Sequence, residues 1–282
     1  MTVAVRTISG SLEESERRRA VYDGELLIFK NVEPMTALIA FVDELCREAL
    51  GATDPTMAQF EMGRDDYLHR LGDLRRRFRT SPRGKPLLRG VLEGVGVHPE
   101  RSGWDRPYLR VSPHSDDHND DSTQTLGFHR DTWASNVYSQ TNWWAPIYPI
   151  TAARAIAFYP HYWAEPVENN SASWDLEEVM AGRTADITPT PAVQVRTGSE
   201  LRIAIEPGDV LCFSGAHLHA SVQNTTGLAR LSIEVRTADI EDESAGTGAP
   251  NLDGAAPHVA LRWFRRIDDD QPLTTLLART PS

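Results

Sequence analysis

Apolar residues recur in two rhythms along this chain. Between residues 34 and 51, Leu38, Phe41, Val42, Leu45 and Ala49 fall at i, i+3, i+4, i+7 and i+11, the spacing that lines one side of a helix. Pro34 stands near the start and Gly51 follows the last periodic residue, so both ends of that helix carry a signal. A second helix is predicted around 59–79, where Tyr67, Leu71, Leu74 and Phe78 form one stripe. Ahead of them, VYDGELLIFKNV (21–32) sets a turn-prone Asp-Gly before a β-rich apolar run and reads as a strand. Residues 1–20 are polar and read as frayed or helical.

From about residue 105 the rhythm shortens. Runs of β-branched and aromatic residues alternate with Gly, Pro, Asn and Asp: YLRVS (108–112), TLGFHRDTW (125–133), VYSQTNWWAPI (137–147), AIAFYP (155–160), AVQVR (192–196), LRIAI (201–205), DVLCFSG (209–215), HLHASVQ (217–223) and ARLSIEV (229–235). Short strands at such spacing predict a sandwich or closed barrel. ALRWFRRI (260–267) reads as a last element packing back on it. The expectation is one mainly β domain with flanking helices over 1–282. It has a mixed N-terminal third (about 1–105), a β core (about 106–240) and a C-terminal extension (241–282).

Composition narrows the function classes. The 282 residues are 40% hydrophobic and 24% charged, ordinary for a globular chain. A formal net charge of −11 argues against nucleic acid as a partner. No apolar run approaches the roughly 18 residues of a membrane helix, and the N-terminus does not read as a signal peptide. Two cysteines, Cys46 and Cys212, make no disulfide framework, so a cytoplasmic setting is expected.

The sharpest chemical feature is His129-Arg130-Asp131. In a strand, residues two apart share a side, so His129 and Asp131 are expected to project together with Arg130 pointing away. A third ligand has to come from elsewhere, and SGAHLHAS offers His219, with His217 two residues earlier on the same face. Two histidines and one carboxylate leave coordination positions open, as in non-heme Fe(II) oxygenases. A lone His-x-Asp is more often a chance surface pair than a ligand pair. Context strengthens it here. Ser221 shares the side of His219, and Arg230 lies eleven residues past His219, on the opposite face of its strand from Leu231, Ile233 and Val235. An arginine inside a β core is costly without an anion, and a guanidinium beside a hydroxyl is a natural carboxylate clamp.

This combination resembles the Fe(II)- and 2-oxoglutarate-dependent dioxygenases, specifically the phytanoyl-CoA dioxygenase-like group. The pattern of that group is His-x-Asp, a distal His roughly ninety residues on, a Ser two after it and an Arg eleven after it. Here it is matched by His129, Asp131, His219, Ser221 and Arg230. The offsets to Ser221 and Arg230 are what select His219 over His217. The likeness spans about residues 20–236. It departs at AIAFYPHYW (155–163), where relatives carry a Pro-Gly-Ser-His segment and this chain lacks the Gly-Ser. The resemblance implies a double-stranded β-helix (jelly-roll) core, with His129, Asp131 and His219 on Fe(II) and Arg230 and Ser221 on the distal carboxylate of 2-oxoglutarate. It implies that O2 is consumed and that decarboxylation to succinate is coupled to oxidation of a small molecule, as in specialised biosynthesis. Related halogenases have Gly or Ala in place of the carboxylate, so Asp131 favours hydroxylation, or another outcome of hydrogen abstraction, over halogenation.

Other residues are weighed beside these. Of Trp143 and Trp144 one should face in. Trp143 is taken with Asn142 as a cosubstrate neighbour, although core packing explains a tryptophan equally well. Gln140 shares the parity of Asn142. Residues 70–89 hold seven arginines and Lys85 against one acid, Asp73. They are a dock for a CoA thioester, phosphate or carrier protein, or more ordinarily a solvated helix face. DDHNDD (116–121) is either a lure for a cationic amine or an exposed loop. His69, His98, His114, His118, His161 and His258 suggest no partner. Two rivals remain: a cupin-like metalloenzyme independent of 2-oxoglutarate, and a non-catalytic jelly-roll binding protein.

Overall fold

A computed structural model describes residues 3–114, 126–183 and 187–278. Strand β1 (Val5–Ser9) is followed by α1 (Glu14–Tyr22), β2 (Leu26–Lys30), α2 (Met35–Leu50), α3 (Arg64–Thr80) and α4 (Gly84–Gly94). Then come β3 (Ser102–Trp104), β4 (Tyr108–Ser112), α5 (Asp131–Ser135), β5 (Thr141–Pro146), β6 (Ile156–Phe158), α6 (Leu176–Met180) and β7 (Leu201–Ile203). β8 (Val210–Ser214), β9 (His219–Ser221), β10 (Arg230–Asp239), α7 (Ile240–Ala245), β11 (Arg265–Arg266) and α8 (Leu273–Leu277) complete the order. Helix α2 ends as its pattern predicts, with Gly51 in the left-handed region at φ 67°, where a residue with a side chain is strained.

The strands make two sheets. The larger runs β1-β2-β8-β5-β10-β3-β11, and β4 also pairs with β10. β10 is long enough to serve two neighbours on one side: Arg230 to Glu234 face β4, and Thr237 to Asp239 face β3. The smaller sheet is β7-β6-β9, extended at its edge by an antiparallel bridge between His129 and His219. Along the chain, β4, β5, β8 and β10 go to the large sheet, and the His129 bridge, β6, β7 and β9 to the small one.

Period-two alternation decides what each face of the large sheet does. Leu27, Phe29, Trp143, Ala145, Val210, Cys212, Leu231, Ile233 and Val235 face a helical layer, where they pack on Leu38, Phe41, Val42, Tyr67, Leu71 and Leu88. Leu26, Trp144, Leu211 and Phe213 face the small sheet and meet Ile156, Phe158 and Ile203. On β10 the inward residues are Arg230, Ser232, Glu234 and Arg236, all buried or nearly so. The inner face of the large sheet is thus apolar at β8 and charged at β10. Cys46 and Cys212 are free and buried.

Several expectations need correction. The helical reading of residues 1–20 holds from Glu14, where α1 begins, but Val5–Ser9 form a strand, β1, parallel to β2, with Ile8 supplying an apolar contact that polar neighbours masked. Residues 21–32 are not one strand: the chain leaves α1 through Asp23-Gly24 and only then enters β2. AVQVR (192–196) forms no strand. TLGFHRDTW is not a strand throughout either, since helix α5 begins at Asp131. ALRWFRRI forms a short 3-10 turn and β11, which pairs with β3. DDHNDD lies outside the described residues. Among the described residues, no helix is long and apolar enough to cross a membrane.

Candidate metal centre

His129, Asp131 and His219 offer one ligand atom each, all within 4.8 Å of one another, and all three residues are buried. His129 and Asp131 do not share a strand side as the sequence suggested. His129 ends an extended segment in its bridge to His219, Arg130 is extended at φ −112°, ψ 136°, and Asp131 opens α5. The chain turns into a helix between the two ligands, and that turn brings the carboxylate back toward the imidazole.

The donor set fits a metal ion. His129 Nδ1 lies 2.8 Å from the Gly127 carbonyl and His219 Nδ1 3.0 Å from the His217 carbonyl. A carbonyl accepts only, so each Nδ1 carries a proton and each Nε2 is left for another partner. His129 Nε2 is buried with no hydrogen-bond partner, an unmatched polar atom that a metal would satisfy. His219 Nε2 stands 3.7 Å from Asp131 Oδ2. Burial, followed by the neighbouring His219, pushes the His129 imidazole down to about 4, so it is neutral and ready to ligate. Burial alone would raise the Asp131 carboxyl, but Arg236, His219 and His129, with a hydrogen bond from Asn142, hold it below the usual carboxylate range.

The supporting shell is specific. Asn142 Nδ2 donates to Asp131 Oδ2, and Gln140 Nε2 donates to Asn142 Oδ1 at 2.8 Å. Asn142 therefore orients the Asp131 carboxylate. Gly215 lets this chain pass closely: a Cβ there would sit 2.7 Å from Gln140 Nε2 and 3.3 Å from Asp131 Cβ. Arg236 approaches Asp131 Oδ1 at 3.6 Å while its Nε faces Asp105 at 3.1 Å. Arg130 does point away, into a buried ion pair with Asp253 at 3.0 Å. Asp253 also accepts from Trp133 Nε1 at 2.7 Å and Val167 N at 2.9 Å. Asp253 and Arg236 were missed in the sequence. A partner 123 residues from Arg130 leaves no local signal, although the parity of Arg236 with Arg230 on β10 was available.

Arg230 and Ser221 come together as expected. Arg230 Nη2 donates to Ser221 Oγ at 3.2 Å, and Nη1 to the Ala155 carbonyl at 2.9 Å. The Arg230 Nε is buried with no hydrogen-bond partner, and among the described residues no carboxylate forms an ion pair with this side chain. Burial drives the guanidinium down to about 10. Trp143 does not reach the site. Its parity sends it to the helical layer, with Phe29 at 6.1 Å and the Arg17 guanidinium at 5.0 Å. Trp144 is the inward tryptophan, its ring 5.9 Å from the Arg230 guanidinium. His217 stays outside the triad, 4.4 Å from the Trp163 ring.

Beside the triad is a cavity of about 440 Å³ whose lining includes His129, Asp131, Tyr108, Arg236, Trp174 and Trp263. Trp174, Leu176 and Ile187 come from the segment between β6 and β7, and Trp263 from the C-terminal extension. Elements outside the two sheets therefore roof the space in front of the triad.

No protein-family model and no curated protein sequence matches this chain. Solved structures give distant likenesses. EvdO2 from Micromonospora carbonacea var. aurantiaca is 12% identical with a TM-score of 0.49, over 83% of this chain and 94% of its own. SnoN, an epimerase solved with Fe3+, alpha ketoglutarate and nogalamycin RO, is 18% identical with a TM-score of 0.43, over 86% and 94%. EvdMO1 is 16% identical with a TM-score of 0.33, and this chain covers 31% of its length. At such distances the side chains of the site carry the functional reading.

Proposed function

We propose that this chain is an Fe(II)- and 2-oxoglutarate-dependent oxygenase that oxidises a small molecule, most simply by hydroxylation, in specialised biosynthesis. His129, Asp131 and His219 would hold the iron. With 2-oxoglutarate and O2, that iron supplies decarboxylation to succinate and CO2 coupled to two-electron oxidation of a C–H bond. The remaining work belongs to the chain. Asn142 and Gln140 fix the Asp131 carboxylate, and the Gly127 and His217 carbonyls fix the two imidazoles. The cavity under Trp174 and Trp263 keeps the substrate next to the metal and away from bulk water.

The observation that carries the reading is Arg230: a buried cation with an unmatched Nε, a serine hydroxyl at its fork and no carboxylate partner among the described residues. Burying a guanidinium without an anion is costly, and the distal carboxylate of 2-oxoglutarate would remove that cost. A metalloenzyme independent of 2-oxoglutarate has no use for it, and a non-catalytic binding protein has no use for the triad. The alternation of successive strands between two facing sheets supports a double-stranded β-helix, which we read as a single domain over 1–282. Two free, buried cysteines are consistent with a cytoplasmic setting. Neither nucleic acid nor membrane is proposed as a partner.

Anaerobic optical titration tests it. Fe(II) followed by 2-oxoglutarate should give a weak visible charge-transfer band that Asp131→Ala abolishes and Arg230→Ala weakens. Iron binding without the band would leave the 2-oxoglutarate-independent enzyme, and no iron binding would leave the binding protein.

A further inference from the structure

Three guanidinium groups gather around one ring on the cavity wall. Arg106, Arg110 and Arg236 lie 5.3, 5.3 and 5.4 Å from the Tyr108 ring. Two are neutralised from within: Arg110 by Glu234 through bonds of 2.5 and 3.1 Å, and Arg236 by Asp105 at 3.1 Å. Arg106 forms no ion pair among the described residues. It is exposed, yet it is held at the cavity wall by the Tyr108 face. The same Arg106 lines a second hollow of about 300 Å³, which shares Asp105 and Trp263 with the first. That hollow continues to Arg79, Lys85 and Arg265. Lys85 and Arg265 share Asp270, while Arg79 also forms no ion pair among the described residues. The two hollows thus adjoin at Asp105, Arg106 and Trp263, and between them they reach from the triad to Arg106 and Arg79.

We propose that the substrate carries an anionic group, a carboxylate or a phosphate, seated at Arg106 with its apolar body against Trp174 and Trp263 facing the triad. The orientation toward the triad rests on the metal-site reading; the anion site does not. A planar guanidinium held beside an aromatic ring offers a fork to an oxyanion, and Arg106, the member of this cluster with no ion pair among the described residues, gives the chain, acidic overall, a local preference for anions there. The basic stretch 70–89 reaches this hollow at Arg79 and at Lys85, the latter paired with Asp270, and most of its other charges are paired: Arg76 and Arg77 with Asp73, Arg83 with Glu44, and Arg89 with Glu93.

Calorimetric titration of the full chain tests this, run metal-free and again anaerobically with Fe(II), with 2-naphthyl phosphate, 2-naphthoate and 2-naphthol as probes. Both anions should bind at least about tenfold more tightly than the neutral probe, a gap that salt narrows. Arg106→Gln should remove most of the gap with an unchanged thermal midpoint, and Arg230→Met should keep it. A phosphate preference that Arg79→Gln reduces would identify a phosphate-bearing substrate; equal anions and a silent Arg79→Gln would identify a carboxylate. Anions no tighter than 2-naphthol, or a gap lost in Arg230→Met and kept in Arg106→Gln, would overturn the proposal. Because the metal-free arm needs no iron, its outcome stands apart from that of the optical titration.

Discussion

His129 and His219 exchange main-chain hydrogen bonds in both directions, each 3.0 Å, as an isolated bridge at the edge of the small sheet. The bridge sets their rings 4.2 Å apart and brings both Nε2 atoms near Asp131. His217, two residues along, is held by aromatic neighbours instead. His219→Ala is therefore expected to weaken Fe(II) binding by more than about 100-fold, beyond what loss of a supporting residue costs. His217→Gln should cost less than about tenfold. Anaerobic calorimetry measures both, and the reverse ranking would assign the ligand to His217.

Asn142 gives a second test. Its amide bridges Asp131 and Gln140, so Asn142→Leu keeps volume while freeing the carboxylate and leaving the Gln140 amide unmatched. We expect the Fe(II) dissociation constant to rise by about 10- to 100-fold with the circular dichroism of the fold retained. An unchanged constant would show that Arg236 alone suffices to orient Asp131.

The chain announced some of this and concealed the rest for physical reasons. Helix α2 was legible because its apolar period lines one buried face, β4 and β10 because apolar residues alternate with polar ones, and β8 because it is one short apolar run between turn residues. The triad was legible as a set of offsets, but its local geometry was not. His-x-Asp in an extended run looks like a strand pair, whereas the chain turns into α5 at Asp131 and is anchored there by a tertiary bond from Arg130 to Asp253. The parity rule left the choice between Trp143 and Trp144 open, because a strand covered on both faces is apolar on both. The cavity roof at Trp174 and Trp263 had no periodic signature at all.

That tertiary bond is itself testable. Arg130 is 3% exposed, and Asp253→Ala would leave its guanidinium buried without a carboxylate, a loss of about 3–5 kcal/mol. Urea denaturation should show the midpoint falling with an unchanged slope. Replacing both partners, Arg130→Met with Asp253→Leu, should cost less than Asp253→Ala alone, since no charge is then stranded. A double variant worse than the single one would locate the effect in the Arg130 bonds to the Ala216, Tyr162 and Glu165 carbonyls, which only the double variant loses.

Arg230 separates the cosubstrate site from mere packing. Arg230→Met removes a buried cation that has no carboxylate partner among the described residues, while leaving the Ala155 carbonyl and the Ser221 hydroxyl without their donor. The two effects oppose one another, so ligand-free stability should move by less than about 2 kcal/mol, below the loss expected at Asp253. The response to ligand should differ far more. With Fe(II) present anaerobically and 2-oxoglutarate at about 100 times its dissociation constant, the native chain should gain about 2.7 kcal/mol through linkage. Arg230→Met should gain almost none at the same concentration, because the distal carboxylate would then enter an apolar recess without a counter-charge. Differential scanning calorimetry reads both quantities in one series. A variant that keeps the full gain would place the dicarboxylate elsewhere. A native chain that gains nothing while still binding iron would favour the metalloenzyme that works without 2-oxoglutarate.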